Sequence, residues 1–396
     1  MSKRILANDG LVGKAVEYLQ REGFSVDTEK RDHDDLVSEI ANFDALLVRS
    51  ATKVTRDIIE AGTKNGGKLK VVGRGGVGTD NIDLEAAKEC GVIVKFAPNG
   101  NTNAAAEHAL GLMFAVARNV PQSHAALKSG VWYKKRFSGV ELEGQVLGII
   151  GCGRIGQSLA AKAKGVGMKV IGFDVYRKID SPIEYVDTVD ELLSKADFVS
   201  LHTGGDKVIV GERELALMKP TAYLVNASRG KNVSEAALYE ALSKAQIAGA
   251  ALDCFEKEPK REGEPFASKL RELDNVVMAS HLGASTKSAV LRTGLEIAEV
   301  VAKYLKRGDF SSSVNVGETV EEEGRKIYAI FITHEDKPGM FGQFGTALGE
   351  MGVNIRENNS RRLKDLVQTV YVVHQKPTEK VRERLEKIKG VKRVSI

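Results

Sequence analysis

The stretch LGIIGCGRIGQSLAAKA, residues 147–163, decides how the central part of this chain folds. An apolar run leads directly into Gly151, Gly153 and Gly156, and a helical pattern follows them. In such a strand–turn–helix unit the first glycine permits the tight turn, the second lets the backbone approach a pyrophosphate, and the third lets helix and strand pack closely. The free N–H groups at the helix N-terminus also attract an anion. The stretch therefore predicts a dinucleotide-binding domain.

The next apolar run indicates which dinucleotide binds. It ends in Asp174, about 20 residues beyond the glycines, where a carboxylate can accept both hydroxyls of a ribose. The same carboxylate would repel a 2′-phosphate, so we predict NAD as the cofactor rather than NADP. Arg177 lies close by in the sequence and keeps NADP open as an alternative.

Short apolar runs alternate with helical patterns along most of the chain, which predicts parallel sheets with helices on both faces. Around the glycine motif we expect six strands, within residues 145–151, 169–174, 198–203, 222–228, 247–254 and 275–281. Four earlier runs, at 4–10, 44–50, 68–75 and 92–99, predict a separate parallel sheet. Helices are expected at 104–118 and 286–306, and the second of these can return the chain to the first domain.

The composition shifts at residues 311–324, which have no apolar period and indicate a linker. Beyond it we expect a strand at 326–333, a helix opening at Pro338 and capped by Asp336, strands at 353–359 and 366–374, a helix at 378–389 and a last short strand. This order predicts a βαββαβ, ferredoxin-like unit. We thus predict an α/β chain with a flavodoxin-like substrate domain (1–97 and 286–310), a Rossmann NAD-binding domain (98–285), the linker and a small domain at 325–396.

The composition excludes several classes of protein. Of the 396 residues 42% are hydrophobic and 28% are charged, which is typical of folded globular chains with two or three domains. No apolar run approaches the roughly 18 residues of a membrane span, and no secretory signal precedes the first domain, so we expect a cytoplasmic protein. A net charge of +5 does not predict nucleic-acid binding. The three cysteines are far apart, so we predict neither disulfides nor a metal site.

Three polar side chains follow three consecutive strands of the predicted second sheet. They are Arg229, Glu258 and His281, and we expect them at the carboxyl edge of the sheet, where ligands of open α/β sheets bind. His281 can act as general base for the proton of a secondary alcohol, and Glu258 can fix its tautomer. Arg229 can hold a carboxylate in a two-point fork. The remaining histidines without paired spacing are interpreted as structural or surface groups: His33, His108, His124 and His374.

A second glycine cluster follows the strand predicted at 68–75. It contains Gly73, Gly75, Gly76 and Gly78, but no acidic residue ends the next strand, as a nucleotide site would require. We interpret the cluster as a substrate-facing loop, with a purely structural turn as the alternative.

The chain resembles the D-isomer-specific 2-hydroxyacid dehydrogenases. NASRG (226–230), GAALDCFEKEP (249–259) and SHLGAST (280–286) are similar to the three catalytic signatures of that family. VRSATKVT (48–55), VGRGGVGTDNIDLEAA (72–87) and APNGNTNAAAEHALGLM (97–113) extend the resemblance over nearly all the chain, while residues 204–219 depart from the family pattern. Besides the three glycines, the cofactor contacts that we expect are Val77, Arg154, Ile155, Asp174, Thr203, Ala227, Ser228, Asp253, Gly283 and Ala284.

The resemblance is strongest to the branch of the family that oxidises 3-phospho-D-glycerate in serine biosynthesis, and it implies the same catalytic roles for Arg229, Glu258 and His281. A phosphorylated substrate needs cations away from the carboxylate fork. The expected substrate contacts are Arg49, Ser50, Arg74, Gly75, Lys134, Lys135 and Arg136. An unphosphorylated acid of the glycerate, glyoxylate or lactate type is the first alternative, and a non-catalytic NAD(H)-sensing scaffold is the second.

The carboxyl-terminal unit resembles an ACT domain, a small regulatory module that binds amino acids. HEDKPGMFGQFGTAL (334–348) and GVNI (352–355) carry this resemblance. It implies an L-serine effector held by His334, Asp336 and Asn354 across the interface of a homo-oligomer, either a dimer or a tetramer. The alternative is that the domain only pairs subunits.

Overall fold

The computed structural model describes residues 2–175, 177–178, 181–259, 261–309, 312–315, 328–363 and 366–396. The chain forms two compact units. One comprises Met1–Gly100 with Leu291–Ile396, and the other comprises Asn101–Val290. Within the described residues, no helix is both long and apolar enough to cross a membrane.

The first unit opens with a parallel sheet of five strands in the order β2-β1-β3-β4-β5, which is the flavodoxin-like doubly wound order. The strands are β1 (Arg4–Ala7), β2 (Ser25–Asp27), β3 (Ala45–Val48), β4 (Val71–Arg74) and β5 (Ile93–Phe96). The helices between them are α1 (Gly13–Arg21), α2 (His33–Glu39), α3 (Arg56–Thr63) and α4 (Leu84–Glu89). The four predicted strands are confirmed. The sequence reading missed β2, a three-residue edge strand without a fully buried side chain.

The second unit contains a parallel sheet of seven strands in the order β12-β11-β10-β9-β6-β7-β8. The strands are β6 (Val146–Ile150), β7 (Lys169–Phe173), β8 (Glu184–Tyr185), β9 (Phe198–Leu201), β10 (Tyr223–Asn226), β11 (Gly249–Leu252) and β12 (Val276–Met278). Its helices are α5 (Thr102–Ala117), α6 (Val120–Lys128), α7 (Arg154–Gly165), α8 (Val189–Lys195), α9 (Glu212–Leu217) and α10 (Glu235–Ser243). The order is the Rossmann order with one strand more. The six predicted strands are confirmed, but the prediction missed a seventh, the two-residue strand β8, which is too short to form an apolar run.

Helix α11 (Lys287–Arg307) follows the second sheet and packs on the first. Its residues Ile297, Ala298 and Val301 are buried in one apolar cluster with β1, β3 and β4. A Cβ on Gly73 of β4 would lie 2.8 Å from a methyl group of Val301, so this glycine of the second cluster has a packing role.

The carboxyl-terminal part is an antiparallel sheet in the order β14-β15-β13-β16, with two helices. The elements are β13 (Tyr328–Glu335), α12 (Met340–Glu350), β14 (Ile355–Leu363), β15 (Leu366–Val373), α13 (Glu379–Glu386) and β16 (Val391–Ser395). The predicted βαββαβ unit is confirmed, but the predicted helix start at Pro338 is wrong. Gly339, at φ 84°, is the N-cap of α12, and no side chain caps it, so Asp336 is not the cap.

The two faces of this sheet have different neighbours. Side chains such as Ile330 and Ile332 form a core with α12 and α13. The alternate side chains Ala329, Phe331, Val370 and Val372 belong instead to the apolar cluster that contains α1 and α11. Both faces of the sheet are thus buried within the first unit.

Part of the predicted linker pairs with the first sheet. The N–H of Val314 donates to the carbonyl of Val94 at 2.9 Å. Asn315 is buried, and its side chain bonds the N–H of Val94 and the carbonyl of Val92. These residues extend the edge at β5. The other linker residues, 311 and 316–324, and the predicted domain start at Arg325 lie outside the described residues.

Candidate active site

The loop between β6 and α7 forms an open anion cradle. Gly151 has φ 93°, and a Cβ there would lie 2.7 Å from the carbonyl group of His202. A Cβ on Gly156 would collide with the carbonyl oxygen of Gly151, whereas a Cβ on Gly153 would meet nothing within 4 Å. The helix N-terminus at Arg154 has no side-chain cap. The loop is therefore tight where it packs on the protein and open where a pyrophosphate would lie, so it fits the dinucleotide that the sequence predicts.

Asp174 lies beside the glycine loop, and the contact of its carboxylate with an adenosine ribose stays a prediction. Its carboxylate follows β7 and accepts the N–H of Cys152, within the glycine loop, at 2.7 Å. The guanidinium of Arg177 bonds Asp187 at 2.7 Å and the carbonyl of Val186 at 3.0 Å. This pairing directs Arg177 toward a carboxylate and favours NAD over NADP.

Two buried asparagines, which the sequence analysis did not select, organise the loops beyond the glycines. Asn226, fully buried at the end of β10, accepts from the N–H and hydroxyl of Ser228 and donates to the carbonyl of Arg229. Asn232, also fully buried, accepts from the hydroxyl of Thr203 at 3.1 Å. Its amide donates to the carbonyls of residues 205 and 207, in the segment that departs from the family pattern. The buried side chains hold Thr203, Ser228 and Arg229 at one edge of the sheet.

His281 and Glu258 form a close pair at the same edge. Nδ1 of His281 lies 2.8 Å and 3.0 Å from the two carboxylate oxygens of Glu258, and the N–H of Phe255 donates to that carboxylate at 3.1 Å. An ionised carboxylate only accepts, so Nδ1 carries the proton and Nε2 presents its lone pair. Nε2 has no bonding partner in the described part of the chain. The imidazole is thus oriented as a general base requires.

Electrostatics favour the protonated form of this imidazole. The hydrogen bond with Glu258 raises the pKa of His281 above its ordinary value, although partial burial and the charge of Arg229 act in the opposite direction. Burial acts to raise the pKa of Glu258, but its bond with His281 outweighs this and holds that pKa below the ordinary range. The pair can therefore store a proton as an imidazolium beside a carboxylate.

His202 is not an alternative base. Its Nε2 lies 2.9 Å from the hydroxyl of Ser200, and its Nδ1 is buried without a partner among the described residues. Burial lowers the pKa of His202 to about 4, so this enclosed imidazole is too weak a base to take the proton at the pH values where His281 titrates.

Asp253 supports the loop that carries His281. It is 1% exposed, and its carboxylate accepts the N–H groups of Leu282 and Gly283 at 2.7 Å and 2.8 Å. Its own carbonyl accepts the N–H of His281 at 2.8 Å. His108, which the sequence analysis interpreted as structural or surface, lies 3.0 Å from this carboxylate. A cofactor contact at Asp253, Gly283 and Ala284 stays a prediction, as it does for Ile155 and Ala227.

Several predicted ligand contacts lie in the first unit. Arg49 and Ser50 are exposed in a loop that Asp9 holds, because its carboxylate accepts the N–H groups of Arg49 at 2.7 Å and Thr52 at 3.1 Å. Arg74 donates to the carbonyl of Gly75 at 3.2 Å. These contacts stay predictions, and so does the one at Val77.

The predicted basic run lies in the second unit. Arg136 pairs with Asp274 at 3.1 Å and stacks over the ring of Tyr133, so its charge is already engaged at the surface. Lys134 and Lys135 are exposed. Their part in binding a phosphate stays a prediction.

One copy of the chain does not bring the predicted effector residues together. His334 is 1% exposed; its Nδ1 donates to the carbonyl of Glu335, and its Nε2 bonds the hydroxyl of Thr369. His334 pairs with Val367, at one end of the sheet, while Ile355, next to Asn354, pairs with Val373 at the other end. Val367 and Val373 are six residues apart along β15, which corresponds to about 20 Å. An effector that touches both His334 and Asn354 would need a second copy, and Asp336 is exposed.

Comparisons with known proteins agree with this geometry. Residues 110–283 match the NAD binding domain of the D-isomer specific 2-hydroxyacid dehydrogenases, and residues 328–390 match the ACT domain. The chain is 44% identical over 318 residues to D-3-phosphoglycerate dehydrogenase of Methanocaldococcus jannaschii, covering 78% of this chain and 59% of that protein. It is 43% identical over 307 residues to hydroxypyruvate reductase of Thermotoga maritima, covering 76% of this chain and 98% of that protein. The solved TT0316 protein of Thermus thermophilus superposes with a TM-score of 0.69 at 31% identity, over 78% of this chain and 99% of that one.

Proposed function

Because the chain belongs to the D-isomer-specific 2-hydroxyacid dehydrogenases, we propose that it oxidises 3-phospho-D-glycerate to 3-phosphooxypyruvate with NAD, the first step of serine biosynthesis. The observation that carries the catalytic part of the proposal is the contact of 2.8 Å between His281 and Glu258, beside a glycine cradle that fits a dinucleotide. The chain spans 59% of the length of the Methanocaldococcus relative, so the substrate is part of the proposal.

The reaction removes a proton and a hydride from the alcohol. Arg229 binds the carboxylate of the acid as a two-point fork and so orients the neighbouring carbon. Nε2 of His281 accepts the hydroxyl proton as the carbonyl forms, and Glu258 stabilises the resulting imidazolium. NAD, held at the glycine loop of residues 151–156, would supply the acceptor for the hydride that leaves this carbon. In the reverse direction the imidazolium returns its proton to the carbonyl oxygen.

The phosphate is the feature that separates the two candidate substrates. Arg49 and Arg74 supply cations at strand ends of the first unit, where a phosphate would find hydrogen-bond donors. The Thermotoga relative, a hydroxypyruvate reductase that this chain covers over 98% of its length, favours an unphosphorylated acid as the second candidate.

The test compares kcat/KM for 3-phospho-D-glycerate and D-glycerate, followed through NADH formation. A phosphate held by two charged hydrogen bonds of about 1.5–3 kcal/mol each predicts a preference of a hundredfold or more. Arg49→Gln combined with Arg74→Gln should remove most of it, while Lys53→Gln, at an exposed lysine near the same loop, should not. Equal use of both acids by the unaltered protein would move the proposal to the unphosphorylated substrate. Binding of NADH without turnover of any 2-hydroxy acid would favour the sensing scaffold.

We also propose a homo-oligomer in the cytoplasm. Support for assembly comes from apolar side chains that are exposed around α6, with exposures of 54% for Val120, 51% for Leu127 and 77% for Trp132. Large apolar side chains grouped on a surface are typical of interfaces between subunits. Light scattering should give at least twice the mass of one chain, and Trp132→Ser should lower the assembled fraction.

L-Serine is the proposed effector of the ACT domain. Because the effector residues of one copy lie apart, we expect serine to bind only to an assembled form. Calorimetric titration of the oligomer with L-serine tests this, with D-serine as the control ligand. Absence of binding heat would limit the domain to pairing subunits.

A further inference from the structure

We propose that His108 is a positioning residue for His281: it binds the carboxylate of Asp253, which holds the loop of residues 281–283 in the conformation that directs His281 toward Glu258. This inference rests on the proposed function only in taking His281 as the base. It assigns a role to a histidine on α5 that lies outside the three catalytic signatures.

The conformation of His281 requires support. Its φ is 57°, in the left-handed region that side chains other than glycine rarely adopt. Such conformations persist only where surrounding contacts fix them, and they concentrate at functional sites. Three hydrogen bonds fix this one, and all three run to Asp253: from the N–H groups of His281, Leu282 and Gly283.

The ionised state of the Asp253 carboxylate depends in turn on its contact with His108. The carboxylate is 1% exposed, and a buried carboxylate needs partners to stay ionised. Burial acts to raise the pKa of Asp253, but His108 and the N–H groups of the loop outweigh it and hold the pKa below the ordinary value. Nε2 of His108 lies 3.0 Å from the carboxylate, within the range of a polar contact, although its N–H is not aligned for an ideal hydrogen bond.

His108 also borders the loop itself. Its Cδ2 lies 3.9 Å from the point where a Cβ on Gly283 would stand, so the ring closes one side of the loop. Asp253, Glu258 and Arg229 are the charged groups that act on the titration of His281. A change at His108 reaches His281 through Asp253 and the loop, and the expected result is a weaker contact between His281 and Glu258.

The experiment is an NMR titration of the cofactor-free protein, labelled with 13C at the Cε1 positions of its seven histidines. In His108→Asn the shorter amide cannot replace Nε2, whereas His108→Gln places an amide nitrogen near that position. We expect the His281 signal of H108N to titrate at lower pH than in the unaltered protein, because its bond with Glu258 weakens. H108Q should titrate closer to the unaltered protein. His124→Ala, at an exposed histidine on α6, is the control and identifies one further signal by its loss.

The outcome for His281 decides the inference. Titration of His281 in H108N as in the unaltered protein would overturn it, even if activity fell, and so would an equal shift in H108N and H108Q. A shift in H108N with partial recovery in H108Q supports it, and kcat should then fall at least tenfold in H108N. If the unaltered protein oxidised no 2-hydroxy acid, the proposed function would fail while the titration still tested the positioning role.

Discussion

Replacing Glu258 with glutamine removes one negative charge beside His281 and keeps the size of the side chain. Unit charges about 4 Å apart interact by about 1 kcal/mol in bulk water and about 4 kcal/mol at an effective dielectric constant of 20. His281 and Glu258 expose 52% and 35% of their side chains, so solvent screens the pair and about 2 kcal/mol is the appropriate magnitude. If the imidazolium loses this stabilisation in the transition state, kcat falls about thirtyfold.

The pH dependence gives a second, independent result. Glu258 is the largest cause of the raised pKa of His281, so in E258Q that pKa falls toward its ordinary value. Oxidation needs the neutral imidazole, and its rate rises as the pH passes upward through this pKa. Reduction needs the imidazolium, and its rate falls over the same interval. The pH–rate profiles thus have one limb each, rising for oxidation and falling for reduction. Both limbs should move to lower pH in E258Q.

The assay measures initial rates in both directions across pH for the unaltered protein, E258Q and Glu262→Gln. Glu262 is an exposed carboxylate on the same loop and serves as the control for loss of one charge. Limbs that stay in place in E258Q, or limbs that move in opposite directions, would refute the assignment of His281 as the proton carrier. If such unmoved limbs came with a thirtyfold loss of kcat, Glu258 would in addition have to act in a step other than this proton transfer.

Three further predictions follow from the site. Arg229→Lys loses the planar fork and should lower kcat/KM for the acid about 10- to 100-fold, because a charged hydrogen bond contributes about 1.5–3 kcal/mol. The affinity for NADH, measured by fluorescence, should stay unchanged. Asp174→Ser should weaken NAD binding about tenfold or more and reduce the discrimination against NADP, which titrations of both cofactors would show. A maleimide should label Cys90 alone in the folded protein, because burial raises the pKa of the Cys152 and Cys254 thiols to about 12; two or three labels per chain by mass spectrometry would contradict this.

The sequence predicted the sheets and the residues that follow their strands, because these depend on local patterns. The run that ends in Gly151 and the side chains Arg229, Glu258 and His281 all follow apolar strands, and parallel strands bring such positions to one edge. The two missed strands, β2 and β8, have three and two residues and no continuous apolar pattern. The start of α12 differed because Gly339, at φ 84°, turns the chain after Pro338 and delays the helix to Met340, which the residues alone did not determine.

Contacts between distant parts of the chain could not be predicted in the same way. His108 lies 145 positions before Asp253, and their pairing depends on how α5 packs against the sheet. Asn226 and Asn232 follow a strand like many other polar residues, and only their complete burial distinguishes them. His334 and Asn354 are close in sequence, yet the register of the antiparallel sheet places them at opposite ends.

The apolar cluster that joins the carboxyl-terminal sheet to the first sheet has a consequence for protein engineering. A truncated chain that ended after Arg307 would leave Ala15, Leu19 and Ala298 without the side chains of Phe331 and Val370 that share their cluster. Such a fragment would expose a new apolar surface to water. It should precipitate unless apolar residues on α1 and α11 are replaced by polar ones in the truncated chain. For the same reason, the first parallel sheet and the carboxyl-terminal sheet should melt in a single calorimetric transition rather than one after the other.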